Sequence, residues 1–382
     1  MTTATAPASI LPALVKIVRP FAHKGQRGPV RLRDALVRHD GGSTRVCATD
    51  LELACNVIAC EPTRPSESYL VDAASGVPVG SDISPLAFPA FDRLDGATVC
   101  EFSIDYRDFR RVADHVASAT DPESARYALG GVLLEASGTG HATFIGTDGR
   151  RLHAARFAVA DATGEVATNT LLPGRMFAAA AKAIKAAAVM AGVKGRRIDG
   201  EAVTIAITGK TARVTWAADT VAVEVFCRLV EGRFPRWRDA APANPGTVCP
   251  VDAAATVAAC GESIIRTKAA EAVAREAWDA DHARRGIRPA ARGRFDHPRG
   301  VKFSPAGMEC RGCDYRASIP TAVEVFIDPA FVGPAVDAAA EFGAATVDLR
   351  IIDTQNAVTL HGGAWEAGGT GFFAIIMPLA ID

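Results

Sequence analysis

At Thr147–Asp148–Gly149–Arg150–Arg151–Leu152 an apolar run ends in a hydroxyl, a carboxylate and a glycine, followed at once by two guanidiniums. Three kinds of chemistry begin this way: a nucleotide-binding loop, a nuclease carboxylate, or a plain turn. A phosphate loop needs a second glycine followed by Lys and Ser or Thr, and those are missing. A paired-carboxylate site would need a second acid beside the first. The comparable acid, Asp50 of Thr49–Asp50, occupies the same corner of a different repeat, which argues for turn chemistry, with each Asp capping its own backbone. Cys310 and Cys313 have CxxC spacing, but there is no second Cys/His pair at a zinc-like distance and no βαβ pattern around them. With no nucleophile–base set, the reading is a non-enzyme needing no cofactor and no metal. A thiol-dependent redox enzyme using Cys310 and Cys313 is the alternative from another class.

The elements that place these residues recur along the chain. Shifting the sequence by 98 residues, 49 onto 147, superposes Thr49–Asp50 on Thr147–Asp148. The same shift lays Leu11, Leu14, Val15 and Val18 over Phe109, Val112, Ala113 and Val116, both of them i, i+3, i+4, i+7 helical stripes. Between stripe and corner each copy has two strand-like runs around a Gly turn. Each unit therefore reads as helix, hairpin, Thr-Asp corner and strand. The second adds an Ala-rich helix from about Pro173 to Gly192, and a third, more diverged unit follows. The fold class expected is α+β, with three repeated domains, 1–98, 99–246 and 247–382, whose helices cover one face of antiparallel sheets.

Composition agrees with a large buried core. The chain has 382 residues, 49% hydrophobic and 22% charged, with no uninterrupted apolar run of membrane-spanning length and no signal-like N-terminus, so a cytoplasmic protein without a membrane partner is expected. Nine scattered cysteines read as reduced core thiols. A net charge of −1 does not advertise nucleic-acid binding, yet a neutral total can hide segregated faces.

Such faces can be drawn. In the second unit Arg107, Arg111, His115 and Ser118 lie opposite the apolar stripe, and the next helix offers Arg175, Lys182 and Lys185, followed by Lys194, Arg196 and Arg197. The first unit offers Lys16, Arg19, Lys24, Arg27, Arg31 and Arg33. Arg126 and Tyr127 join the candidate DNA-contacting set. Lys and Arg without base-reading Asn or Gln suit sequence-independent contact with duplex phosphates. A solvated helix surface explains any one of these faces equally well.

The runs ARYALGGVLLE…GTDGRRLHAARF, LVEGRFPRWRDAAP and IIMPLA, taken together, resemble the bacterial sliding clamp, the beta subunit of DNA polymerase III. The resemblance implies a crescent of three domains, two crescents closing head to tail around duplex DNA, and a hydrophobic cleft for the short peptides of polymerases, the clamp loader and repair proteins. Carried over by position, the cleft is Leu129, Thr147, Gly149, Arg150, Arg151, Leu152, Pro235 and Ala240, with Phe331, Ile375, Met377 and Leu379. Read without the family, IIMPL is simply a buried last strand.

Two departures bear on ring closure. From corner to Phe-Pro the second unit takes 87 residues, 147 to 234, where the first takes 39, 49 to 88, too few for the second helix. A stretch at 266–302, with ten Lys or Arg against five Asp or Glu, is inserted in the third unit. A homodimer with an altered interface is therefore expected. A divergent paralogue acting as a binding platform outside the main replisome is the nearest alternative.

Overall fold

The computed structural model describes residues 10–23, 30–61, 65–79, 88–89, 94–137, 140–193, 195–244, 246–284, 301–304, 307–310, 316–317, 325–343 and 345–379. They fall into two compact units, Met1–Gly146 with Phe157–Phe234, and Thr147–Arg156 with Pro235–Asp382. These units cut across the three repeats. Strand Leu53–Cys60 of the first repeat is hydrogen-bonded along its length to Val221–Arg228 of the second, so the two repeats share one sheet.

In the first unit that antiparallel sheet has nine strands, ordered Glu67–Asp72, Asp34–Asp40, Ser43–Thr49, Leu53–Cys60, Val221–Arg228, Thr211–Ala217, Ala202–Ile207, Cys100–Asp105 and Ala160–Gly164. Helix α1 (Leu11–Val18) buries Leu14, Val15, Ile17 and Val18, and α2 (Tyr106–Arg111), prolonged by turns to Ala119, buries Phe109, Val112, Ala113 and Val116. Both sequence-derived stripes thus face the core. Helix α3 (Gly174–Met190) starts directly after Pro173, as its composition predicts, and packs on α1 and α2. His115 departs from the sequence reading. It is buried rather than on the outer face with Arg107, because Val112–Val116 form a π turn, which holds more residues per turn and so shifts which side chains face the core. Among the described residues between Thr49 and Cys100 none is helical.

In the second unit five strands, Arg151–Ala158, Gly371–Ile376, Val358–Gly363, Thr346–Ile351 and Thr247–Asp252, form an antiparallel sheet. Helices α4 (Ala253–Arg284) and α5 (Pro329–Glu341) pack on each other, and α5 also packs on the sheet. Asp328 caps α5 by accepting the Ala330 N–H at 2.9 Å, with Pro329 in the first turn. Gly333 lets the helices cross closely, since a Cβ there would come within 3.0 Å of Cys260 Cβ. A small sheet of Arg316–Ala317, Gly307–Cys310, Val301–Ser304 and Val325–Ile327 completes the unit. Helix α4 continues through Arg284 into the basic stretch expected at 266–302. Residues 285–300 of that stretch, and Cys313, Lys24, Arg27 and Lys194, lie outside the described residues.

The two Thr-Asp corners are built alike. Thr49 Oγ1 donates to the Leu53 carbonyl at 2.8 Å while Asp50 accepts the Glu52 and Leu53 N–H groups at 3.1 and 2.8 Å. Thr147 Oγ1 donates to the Arg151 carbonyl at 2.6 Å, and Asp148 accepts the Arg150 and Arg151 N–H groups at 2.9 and 3.0 Å. Both third positions sit in the left-handed region, Gly149 at φ 89° and Leu51 at φ 78°. Only the glycine does so without strain. Leu51 is also substantially exposed, so Leu51→Gly is expected to stabilise the first unit by about 0.5–1 kcal/mol in urea titrations. A loss of stability on that change would show the Leu51 side chain to be worth more than the strain it causes.

Candidate peptide cleft and basic faces

The corner and the C-terminal segment, more than two hundred residues apart, meet in the second unit. Strand Arg151–Ala158 pairs with Gly371–Ile376 so that Leu152 faces Ile375 and Arg151 faces Ile376. One residue beyond, the Met377 N–H donates to the Arg150 carbonyl at 2.9 Å, and the Leu379 N–H donates to the Phe326 carbonyl at 2.8 Å. These two bonds carry the chain on past the strand and leave Met377 43% exposed. Pro235 and Ala240 are exposed, Phe331 and Leu379 half-buried.

Arg151 is fixed from three sides. Its Nε donates to Asp148 Oδ2 at 3.2 Å, its Nη1 to the Ala330 carbonyl at 3.4 Å, and its guanidinium lies 4.9 Å from the Phe331 ring centre. The corner is thereby joined to the first turn of α5. Of the sequence-derived cleft residues, Thr147, Gly149, Arg150, Arg151, Leu152, Pro235, Ala240, Phe331, Ile375, Met377 and Leu379 all belong to this unit. Leu152 and Ile375 are buried strand residues, so the accessible apolar groups are Met377, Pro235, Ala240, Leu379 and Phe331. Leu129 belongs to the first unit, buried in the turn Tyr127–Gly130.

The basic residues are unequal. On α3, Arg175, Lys182 and Lys185 recur on one exposed stripe opposite the buried Phe177, Ala181 and Ile184. Arg175 is already engaged, donating to Asp50 at 2.6 Å and also reaching Glu52, which ties α3 to the first corner. Burial pushes the Asp50 carboxyl up, but the Arg175 and backbone hydrogen bonds outweigh it and hold it below its usual range. Lys182, Lys185, Arg196 and Arg197 are exposed, as are Lys16 and Arg19, Arg126 and Tyr127. On α2, Arg111 pairs with Asp108 at 3.1 Å and Arg107 approaches the same carboxylate at 3.7 Å, so one of the two charges on that face is offset. The engagement of Arg175 and of α2 was not legible from the sequence, because the acids responsible lie 125 residues away in one case and on the face assigned to the arginines in the other.

Among the described residues no cluster of His, Cys, Asp and Glu could hold a metal, and no helix is long and apolar enough to cross a membrane. Cys47, Cys55, Cys60, Cys100, Cys227, Cys249 and Cys260 are thiols, none of them in a disulfide.

Residues 103–236 match the family described as DNA polymerase III beta subunit, central domain. No curated protein matches the chain by sequence. Solved structures match it almost end to end at low identity. The beta subunit from Thermotoga maritima superposes with a TM-score of 0.71 at 14% identity, covering 97% of each chain. A sliding clamp from Pseudomonas aeruginosa bound to griselimycin gives 0.71 at 16% identity over 97% of each chain. The beta subunit from Streptococcus pyogenes gives 0.69 at 11% identity, over 97% of this chain and 98% of the other. The match over residues 103–236 is thus a similarity to the DNA polymerase III beta subunit central domain, and along its length the chain carries the sliding-clamp fold, as a divergent example of it.

Proposed function

We propose that this chain is a sliding clamp, built of three repeats at 1–98, 99–246 and 247–382, that holds duplex DNA without reading its sequence. It docks a polymerase, a clamp loader and repair proteins through short peptides. Retention comes from topology and no bond is made or broken, so the protein is not an enzyme. The reading is carried by one observation, the hydrogen-bonded junction of the Thr147–Arg151 corner with the Met377–Leu379 segment. It leaves a Met side chain open beside a rigid, Arg-clamped wall, and Met adapts to varied partners.

Two or three apolar anchors seated there contribute about 1.5–3 kcal/mol each before ordering costs, enough for micromolar affinity. A fluorescein-labelled QLxLF-type peptide should therefore bind in anisotropy titrations. Met377→Ala should weaken it by about tenfold while leaving the melting temperature near the parent's. Equal affinity for both proteins would remove Met377 from the cleft.

The DNA-facing half of the proposal rests on Lys182 and Lys185, which carry no ion pair among the described residues. Lys182→Glu with Lys185→Glu is expected to weaken duplex binding and to lower the log–log salt slope by about two. Arg107→Glu with Arg111→Glu should do less, since Asp108 already offsets one of those two charges. The reverse order of effects would place the DNA on the α2 face.

The shortness of the first repeat, 39 residues from corner to Phe-Pro where the second takes 87, favours a further reading, a clamp-fold binding platform whose homodimer uses an altered contact. Light scattering at several concentrations separates the two, a closed ring requiring a dimer.

A further inference from the structure

Strand Glu67–Asp72 is one edge of the nine-stranded sheet, laddered to Asp34–Asp40. The register sets Leu36 opposite Leu70 and, at the strand end, Asp34 opposite Asp72. Directly opposed residues share a face with Cβ atoms about 4.5–5.5 Å apart, where two like charges destabilise the pair. Side chains two apart also share a face, so both acids lie on the side of Leu36 and Leu70, which pack with Cys47 and Phe88 in a buried apolar cluster. The Ala73 N–H donates to the Arg33 carbonyl at 3.1 Å, so the backbone keeps the two acids together.

The two carboxylates differ in their surroundings. Asp72 accepts the Ala74 and Ser75 N–H groups at 3.1 and 2.7 Å and the Ser75 hydroxyl at 2.7 Å. These bonds, the hydroxyl first, hold its carboxyl below the usual range, so it stays ionised well into acid. Asp34 is 4% exposed, and its Oδ2 has no hydrogen-bond partner among the described residues. Burial, and then the Asp72 charge, push the Asp34 carboxyl above the usual range, while the Arg33 charge pulls the other way and less strongly. The groups facing this end are few. The turn Val30–Arg33 brings Arg33, and the edge strand brings Asp72, whose charge Arg19 also reaches. Strand Ser43–Thr49 brings Cys47, opposite Leu36, and further along Arg45, opposite Arg38.

We propose that Asp34 is a proton-operated latch on the edge strand: with its proton, Glu67–Asp72 lies closed on Asp34–Asp40, and without it the charges of Asp34 and Asp72 force the two strand ends apart. A carboxyl that is raised in the folded chain holds its proton more tightly there than in the unfolded chain. Its contribution to stability is fully present below the unfolded value of about 3.9 and is lost as pH rises through the folded one. The edge is therefore firm in mild acid and loosened towards neutral pH. The Asp50 corner runs the opposite way, since its lowered carboxyl gives up Arg175 only in acid. Opening uncovers the backbone groups of Asp34–Asp40 that now pair with the edge strand, the kind of row that takes up another strand. The inference is independent of the cleft and DNA readings above.

The test is hydrogen exchange read by mass spectrometry on the full chain, in mild acid and at neutral pH, with exchange times scaled for the intrinsic pH dependence of amide exchange. Protection of residues 67–72 is compared with that of the interior strand Ala202–Ile207 of the same sheet. In the parent the relative protection of 67–72 should fall severalfold from mild acid to neutral pH. Asp34→Asn keeps the shape and removes the charge, so at neutral pH it should be as protected as the parent is in acid, with the pH dependence gone. Asp72→Asn should shrink the dependence without abolishing it, since the burial of Asp34 remains. A parent whose relative protection does not change with pH overturns the latch, as does a dependence that survives either substitution in full. An Asp34→Asn protein that is unfolded, or less protected than the parent at neutral pH, also overturns it, because the carboxylate would then be holding the strand rather than straining it.

Discussion

Leu152→Asp is expected to unfold the second compact unit rather than merely empty its surface. Leu152 is 4% exposed and sits in register opposite Ile375, itself buried, in the middle of a strand pair. An aspartate there would be ionised without a partner or protonated against its preference. Its nearest cations on the same strand, Arg151 and Arg156, are poorly placed: Arg151 points to the opposite face and is held by Asp148 and the Ala330 carbonyl. An unpaired buried charge costs about 3–5 kcal/mol, a large share of a domain's stability. Far-UV circular dichroism during urea unfolding should show an early transition absent from the parent and from Met377→Ala. A Leu152→Asp protein that melts with the parent and loses only peptide binding would put Leu152 on open surface.

In the first unit the largest loss is expected from Phe177→Ala. Phe177 on α3 is fully buried, 5.6 Å from the Phe109 ring centre on α2 and 5.8 Å from Phe144 on strand His141–Thr147, the latter edge to face at 88°. It links two helices and a strand, so truncation leaves a cavity that none of them can close alone. A cost of about 3–5 kcal/mol follows. Chemical denaturation monitored by tryptophan fluorescence, through the buried Trp216 of the same unit, reads it. A cost under about 1.5 kcal/mol would mean that α3 collapses onto the gap. Because α3 also displays Lys182 and Lys185, DNA binding should survive in the folded fraction.

The repeats were legible because they rest on periodicity and on turn chemistry, both local. Leu14, Val15 and Val18, and Phe109, Val112 and Val116, are buried as their spacing requires, and the Thr49 and Thr147 corners share one hydrogen-bond pattern. Pairings between distant strands were not legible. Nothing in residues 53–60 announces that they bond to 221–228, and this single ladder makes two repeats into one compact unit. His115 was misplaced because a π turn breaks the 3.6-residue period on which its face was assigned. The depth of the segments assigned to the cleft was not legible either. Leu152 and Ile375 are buried in the sheet, whereas Met377, just beyond the last strand residue, is left open.

The central claim, that a partner peptide is seated between the corner and the C-terminal segment, is tested most directly by cross-linking. A QLxLF peptide with a photoreactive benzophenone in place of its last aromatic residue would be irradiated with the full chain, and the adducts mapped by tandem mass spectrometry. The structure leads us to expect adducts on Met377, with Pro235, Phe331 or Leu379 as secondary sites, competed away by unlabelled peptide. Competable adducts confined to other segments, with Met377 unmodified, would contradict it.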